Sequence, residues 1–261
     1  EISCSLVGSE MCIRDRLIVA GLIGVSINLS NLYHTYEYSK ETMRGKSELK
    51  YEGAAAKQTS SGLNRDYITQ WSYGIGETFS LLVPNVKGGA SVPLSRSEKA
   101  MEKANPMYSS LYSQLTQYFG DQPMTSGPVY VGAFVLMLFI LGCFIVKGPM
   151  KWALLGATIF SILLSWGKNF MGLTDFFIDY IPMYNKFRAV SSILVIAEFT
   201  IPLLAILTLK EILTKPELLK EKLKYIYISF GLTGGLALLF AIAPRLFFPT
   251  YIPGNEMAAL Q

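Results

Sequence analysis

Two carboxylates four residues apart, Asp175 and Asp179, are the first pair in this chain whose spacing fits a chemical task. In a helix over residues 173–181 they share one face, while Phe176, Phe177, Tyr180 and Ile181 cover much of the rest. Such a pair can hold a divalent cation or act as a base at a membrane surface. The same pattern also makes the polar stripe of an interfacial helix. Lys186 and Arg188 follow at once. A guanidinium forks onto phosphate oxygens and an ammonium acts as a mobile point charge, so two cations at headgroup depth suit the phosphate of a lipid-linked substrate. Basic side chains snorkelling from a helix end would read identically.

Glu198 is the carboxylate within the apolar stretches, with Pro202 one turn later. A charge at bilayer depth costs several kcal/mol unless it is paired or neutral, so this intramembrane polar residue is expected to face the bundle interior. It serves there either as a site or as a structural hydrogen-bonding group. Pro202 frees the carbonyl of Glu198 and is expected to open the helix locally. Further upstream, Trp71-Ser72-Tyr73-Gly74-Ile75-Gly76-Glu77 and Gly120-Asp121-Gln122-Pro123 mix aromatics, glycines and carboxylates. Flat rings beside hydrogen-bonding groups can seat a sugar, which makes Trp71, Tyr73 and Asp121 candidate substrate contacts. They also fit membrane-interface anchors. No GK[ST] follows the glycines, so a phosphate loop is excluded.

Other chemistry is scarce. One histidine, His34, argues against a histidine-based metal site, a Ser-His-Asp triad and a Cys-His pair. Of three cysteines, Cys143 lies in an apolar run and is expected to pack as a small apolar residue. No cofactor signature is present, and the only cofactor the pattern admits is a divalent cation at the Asp175–Asp179 pair. Net charge is only +4, with no basic cluster interleaved with aromatics, so no nucleic-acid partner is expected.

The elements that must position these residues are apolar. The chain has 261 residues, 51% hydrophobic and 16% charged, against about 25% charged in a soluble domain. The missing charge is missing in blocks, as in a chain solvated partly by lipid. A spanning helix needs about 20 predominantly apolar residues, and runs at 129–146, 152–167, 189–209 and 225–248 qualify. A fifth run, 17–32, reads as a spanning helix that has lost its beginning. Lys147 and Lys151 flank one short connection, and Lys210, Lys215, Lys220, Lys222 and Lys224 fill another. Basic short loops mark the cytoplasmic side. Residues 33–128, 168–188 and the tail 249–261 then face outward, with Lys168, Lys186 and Arg188 against the trend. The expected fold is all-α: a polytopic transmembrane helix bundle with a four-helix region at 129–248 and a long outward-facing lid at 33–128. Ten of the fifteen tyrosines fall between Tyr33 and Tyr130, so the lid is expected to be ordered. Short helices are expected at 37–49 and 97–118, with turns at 85–89 and 120–123. Thr125-Ser126-Gly127-Pro128 reads as a helix start, and Gly231 with Gly235 as a GxxxG motif that favours close helix packing.

Residues 1–16 need separate treatment. Leu6-Val7-Gly8-Ser9-Glu10-Met11-Cys12-Ile13-Arg14-Asp15-Arg16 resembles a translated sequencing adapter, and its charges interrupt any signal-peptide core. It is expected to be foreign, and the chain to be a fragment with its true N-terminal part missing.

Residues 31–210 resemble the YfhO-like bacterial membrane proteins. The likeness rests on Tyr36-Glu37-Tyr38-Ser39, Trp71-Ser72-Tyr73-Gly74, Gly120-Asp121-Gln122-Pro123 with Gly127-Pro128-Val129-Tyr130-Val131-Gly132, and Tyr184-Asn185-Lys186-Phe187-Arg188, in the family's order. That family is similar to the GT-C glycosyltransferases, which take a sugar from a polyprenyl-phosphate donor on the outer face of the cytoplasmic membrane. The resemblance implies a cell-envelope glycan or lipid acceptor, membrane lipid as partner, and catalytic carboxylates upstream of this chain. The family's Phe-Arg-x-Pro-x-Arg stretch matches at Phe187 and Arg188, but Val190 and Ser192 replace the proline and second arginine. Lys186 with Arg188 is then the expected phosphate pair. Two rival functions stand beside it: a transporter or lipid-linked-sugar flippase built on Glu198, and a non-catalytic membrane scaffold.

Overall fold

A computed structural model describes residues 2–42 and 63–247, with side chains from Asp15 onward. Part of the helix expected at 37–49 and the whole of the expected tail at 249–261 lie outside the described residues. The chain divides into two compact units, Glu1–Asn64 and Arg65–Gln261.

The first unit holds α1 (Ile2–Ile27) and α2 (Leu29–Lys40). Helix α1 runs unbroken past the expected start at Leu17. The two helices meet at a 60° bend, and Asp15–Ile27 with Leu29–Lys40 is apolar and long enough for one broken crossing. The bend has a local cause. Ser26 Oγ and Asn28 Nδ2 donate to the carbonyls of Leu22 and Gly24, drawing side chains into the helical ladder just before the break.

The second unit begins with α3 (Arg65–Ile68), followed by β1 (Gly88–Pro93), α4 (Glu98–Met101), α5 (Ser109–Gln114) and β2 (Thr116–Tyr118). The strands pair antiparallel. The short helices expected over 97–118 are found as α4 and α5, and one part is corrected: the stretch ends as a strand. Thr116, Gln117 and Tyr118 gain a ladder partner from a Gly- and Pro-bounded segment that carries little strand signal of its own. Turns do fall at 85–89 and 120–123, the first with Asn85 left-handed at φ 60° and Gly88 N–H bonded to the Asn85 carbonyl at 2.9 Å.

Helices then dominate: α6 (Ala133–Ile145), α7 (Met150–Ser165), α8 (Met171–Tyr180), α9 (Val195–Thr214), α10 (Leu218–Glu221), α11 (Leu223–Phe230), α12 (Leu236–Ile242) and α13 (Pro244–Phe247). Two stretches are long and apolar enough to cross a membrane, Val190–Thr214 and Leu223–Ile242. The helix expected from Pro128 starts instead at Ala133, because residues 128–132 form no regular element and Gly132 turns at φ 99°. At 13 residues α6 is about 20 Å long, short of a 30 Å hydrocarbon core. The run at 152–167 forms α7, which bends by 108° at Gly167 toward α8.

Helix α9 is the centre of the packing. Leu194, Ala197, Ile201 and Leu204 join Phe139, Val146 and Leu154 in one buried cluster, and Ala205 meets Leu138, Leu141 and Ile145 in another. Polar contacts assist where lipid offers none. Thr158 and Thr200 hydroxyls lie 2.7 Å apart between α7 and α9, both buried. Gly142 of α6 is a point of close approach, since a Cβ there would strike Thr208 Oγ1 and sit 3.0 Å from Leu204. Lys151 Nζ closes the α6 end by donating to the Cys143 carbonyl at 3.0 Å. Cys143 is half-buried against the core, as its apolar setting implies.

Two expectations about the helices change. Helix α9 stays continuous through Pro202, so no local opening occurs there. Gly231 and Gly235 lie in a π-helical turn with nothing within 4 Å of either Cβ position, so the GxxxG face packs against none of the described residues. Ser229 and Thr233 are buried on that helix instead, and Tyr225 stacks on Phe144 of α6 at 4.7 Å.

Candidate functional site

The two glycine-containing lid motifs converge on one buried carboxylate. Glu77 is 4% exposed. The Tyr118 hydroxyl donates to its Oε1, while the N–H groups of Gly74 and Asp121 donate to Oε2 at 2.6 and 3.3 Å. Gln122 N–H in turn donates to the Tyr118 hydroxyl at 2.9 Å. Both glycines are required by space. A Cβ at Gly120 would strike Glu77 and Tyr118, and one at Gly74 would lie 2.9 Å from the carboxylates of Asp121 and Glu77. Burial pushes the Glu77 carboxyl above its ordinary value, against the opposing pull of Tyr118, Gly74 and Asp121. It also raises the Tyr118 phenol, and it takes Tyr73 to about 12.

This lid core is stitched to the end of α7. Tyr73 N–H donates to the Ser165 carbonyl at 2.8 Å, satisfying one of the orphan acceptors of the helix terminus. Lys168 N–H donates to Ser72 Oγ at 2.8 Å, and Trp166 Nε1 to Thr78 Oγ1 at 2.9 Å. Asn169 Nδ2 reaches both the Tyr73 carbonyl and Asp121 Oδ2 at 3.0 Å, and Lys168 Nζ meets the Asp121 carbonyl at 3.1 Å. Trp71 accepts from Ser191 N–H at 3.2 Å through its carbonyl. Trp71 and Asp121 thus dock the lid to the helices. Of the lid residues expected to touch substrate, Tyr73 lines a cavity.

That cavity, of about 210 Å³, sets polar groups of Tyr73, Glu77, Ser80, Tyr118, Gln122 and Ser191 beside an apolar wall of Pro128, Val129 and Leu194, and Ser192 also lines it. The Tyr73 hydroxyl lies 2.6 Å from Ser80 Oγ, which donates onward to the Val129 carbonyl at 3.0 Å.

A second cavity of about 250 Å³ lies on the other side of Ser192. Arg188 and Tyr184 supply its polar groups, and Phe187, Val190 and Ile193 its apolar wall. The Tyr184 hydroxyl is buried and finds no hydrogen-bond partner among the described residues. Arg188 Nη1 donates to the Tyr67 hydroxyl at 2.7 Å, with the guanidinium 5.1 Å above the Tyr67 ring. Met183 and Ala189, which bracket this segment, are both left-handed at φ 70° and 67°, a conformation that costs a non-glycine residue of order 1–3 kcal/mol. Lys186 sits half-buried in the turn Tyr184–Lys186 and lies outside the cavity wall.

Asp175 and Asp179 share the face of α8 that their spacing implies, and both hold Arg65. Its Nη1 meets Asp175 and its Nη2 meets Asp179 at 2.6 Å. Arg65 therefore pins α3 to α8 and sets Tyr67 beneath Arg188. Among the described residues, no three His, Cys, Asp or Glu side chains gather as a metal site. The carboxylates are 42% and 46% exposed, so solvent screens the pair and its worth is modest. Arg65→Ala is expected to cost about 1 kcal/mol, and a double-mutant cycle with Asp179→Asn should return most of that as coupling. Additivity of the two changes would show that the contact carries no energy.

Glu198 occupies the outward face of α9 beside Val195 and Phe199, which are 63% and 68% exposed, and it lines neither cavity. Its expected place in a bundle interior is not found among the described residues. Sequence reasoning gave no role to Glu77, Tyr118, Tyr184, Arg65, Ser191 or Ser192. One signal was available: Glu77 is a carboxylate three residues past Gly74 in an otherwise uncharged aromatic stretch. The chain matches no protein-family model, no curated protein and no solved structure.

Proposed function

We propose that the chain is the middle portion of a multi-pass protein of the bacterial cytoplasmic membrane. It is of YfhO-like type and works as a GT-C glycosyltransferase on a polyprenyl-phosphate-linked sugar at the outer face. One observation carries the reading. Two cavities meet at Ser192, at the head of the apolar helix Val190–Thr214, and one of them pairs a guanidinium with apolar walls. An anionic lipid headgroup needs that combination: charge-assisted hydrogen bonds for phosphate and an oily surface for the first isoprene units. Tyr184 adds a buried hydroxyl in search of an acceptor, and the strained turns at Met183 and Ala189 hold the segment in place.

The lysines of 147–151 and 210–224 support an orientation with the lid outside the cell. The crossings are the two long helices, the bent pair α7–α8 and the short α6. The base that activates the acceptor, a cell-envelope glycan or lipid, belongs to a carboxylate upstream of this chain. The flippase reading has weaker support, because Glu198 lines neither cavity.

Titration of the detergent-solubilised chain with polyprenyl phosphate tests the headgroup site. Arg188→Ala is expected to weaken binding about tenfold or more, the worth of one charged hydrogen bond, and Tyr184→Phe by less. Unchanged binding in Arg188→Ala overturns the phosphate assignment.

A further inference from the structure

Glu198 is a carboxylate with no task in the sites described above, and the helix face it occupies is unpartnered. We infer that this outward face of α9 docks a transmembrane helix of another polypeptide, one that carries a basic side chain opposite Glu198. The inference rests on the membrane placement in the preceding reading and is independent of the phosphate chemistry proposed there.

Depth comes first. Thr200, two positions from Glu198, meets Thr158 at 2.7 Å in the middle turns of α7. Along its own helix, Glu198 lies about 12 Å from Val190 and about 16 Å from Leu209, at a rise of about 1.5 Å per residue. A glutamate side chain is too short to bring its head to either surface from there, whereas lysine and arginine can snorkel. Glu198 is exposed, and no described residue donates a hydrogen bond to it. An ionisable group in hydrocarbon is paired or lines a wet cavity, and Glu198 lines neither of the two cavities. Its partner therefore comes from elsewhere.

The surface around it has the form of a helix seam. Val195, Phe199, Pro202, Ile206, Leu209 and Leu213 recur at alternating steps of four and three residues. Pro202 is half-buried and the others are exposed, Phe199 by 68% and Leu213 by 71%. Ala197, Ile201, Leu204 and Thr208 on the opposite face are buried, so the seam is distinct from the surface that α9 uses within the chain. A 3.5-residue apolar repeat keeps one stripe against one partner helix, at a crossing angle of about 20°. Glu198 borders that stripe beside Phe199, the position from which a flanking charge selects the partner. Lipid tails would satisfy the stripe alone. They would not satisfy the carboxylate.

A second copy does not supply the missing charge. The apolar stretches 17–32, 133–145, 152–165, 190–209 and 225–242 contain no Lys or Arg. Two copies that share one orientation and pack α9 on α9 about a two-fold axis would also set both Glu198 side chains at equal depth, like charge near like. A basic side chain on a foreign helix gives the carboxylate a charge-assisted hydrogen bond, and such bonds gain strength where water is absent.

Tryptophan-to-dansyl energy transfer in phosphatidylcholine vesicles tests this. The whole chain is mixed with dansylated leucine-based peptides of about 20 residues, each a single spanning helix with a central lysine, asparagine or leucine. Transfer above the random-mixing level is expected for the lysine peptide, and transfer at that level for the leucine peptide. Glu198→Leu should weaken association with the lysine peptide about tenfold or more, the worth of one charged hydrogen bond, and Ile206→Ala by less. Because Glu198 is exposed, Glu198→Leu should leave the circular dichroism and the polyprenyl-phosphate titration of the chain unchanged. A lysine peptide at the random-mixing level, equal transfer to the asparagine peptide, or indifference to Glu198→Leu overturns the docking proposal and leaves the phosphate reading standing. Glu198-dependent transfer between separately labelled copies of the chain makes a second copy the occupant and overturns it as well. Failure of the chain itself to float with the vesicles overturns the membrane placement on which both rest.

Discussion

Replacing Glu77 by alanine is expected to undock the lid at a cost of about 3–5 kcal/mol while the helices around α9 stay folded. The magnitude follows from what the carboxylate leaves behind. The Tyr118 hydroxyl and the N–H groups of Gly74 and Asp121 all point at it from a site that is 4% exposed. A buried donor stripped of its acceptor costs about 1–3 kcal/mol. The void left by the side chain adds a cavity cost. Hydrogen exchange should accelerate at the Gly74 and Asp121 amides, with amides in α9 unmoved. Unchanged protection at Gly74 and Asp121 would show that the lid is held elsewhere. Glu77→Gln keeps an acceptor oxygen but turns an N–H₂ toward at least one of the three donors, so it should fall between alanine and the native residue.

The same carboxyl makes lid stability depend on pH, with a sign opposite to that of an ion-paired carboxylate. Burial raises its folded-state value above the unfolded value of about 4.3. Between those two values the folded chain binds more protons than the unfolded chain, so stability falls as pH rises. The contribution is whole below about pH 4.3 and is lost as pH passes the folded-state value. In Glu77→Gln this dependence should flatten.

How much of this was legible in the residues depends on the range of the interaction. The apolar runs at 152–167, 189–209 and 225–248 overlap the helical stretches found at 150–165, 195–214 and 223–242, because an unbroken apolar run of that length is itself a helix signal. Which face of α9 packs was hidden, since Phe199 on the exposed side is as oily as Ile201 on the buried one. The hairpin was hidden too: Gly88, Gly89 and Pro93 are poor strand formers, and their pairing with Thr116–Tyr118 comes from tertiary context. Residues 71–74 and 120–123 stood out as motifs, yet their shared purpose rests on Glu77, 44 positions before Asp121. The Asp175–Asp179 spacing gave the helix face correctly and said nothing of Arg65, its partner from 110 residues earlier. Spacing reports one element's geometry; partners belong to the fold.

Gly167→Ala is the second large loss expected, on the order of 3 kcal/mol or more, and it should appear as failure of the turn that joins α7 to the lid core. Gly167 sits at φ 45°, where a side chain costs about 1–3 kcal/mol in strain. Its Cβ would also strike Ser72 Oγ and approach Val190 Cγ2 at 2.6 Å. Neither neighbour can easily move aside. Ser72 is fully buried, donating to the Thr69 carbonyl and accepting from Lys168 N–H, and Val190 begins the apolar helix behind it. Overpacking of this kind adds about 1–3 kcal/mol. The 108° bend between α7 and α8 passes through this residue, so relief of the clash must open either the bend or the Tyr73–Ser165 contact. Gly172 provides the control. A Cβ there meets nothing within 4 Å, and within α8 the change to alanine should be neutral or gain about 0.5–1 kcal/mol from helix propensity. Thermal unfolding of both variants in detergent, followed by Trp166 fluorescence, separates the cases, because the indole donates to Thr78 across the lid junction. Equal midpoints for Gly167→Ala and Gly172→Ala would mean that the junction tolerates a side chain, and that the bend is not set by this glycine.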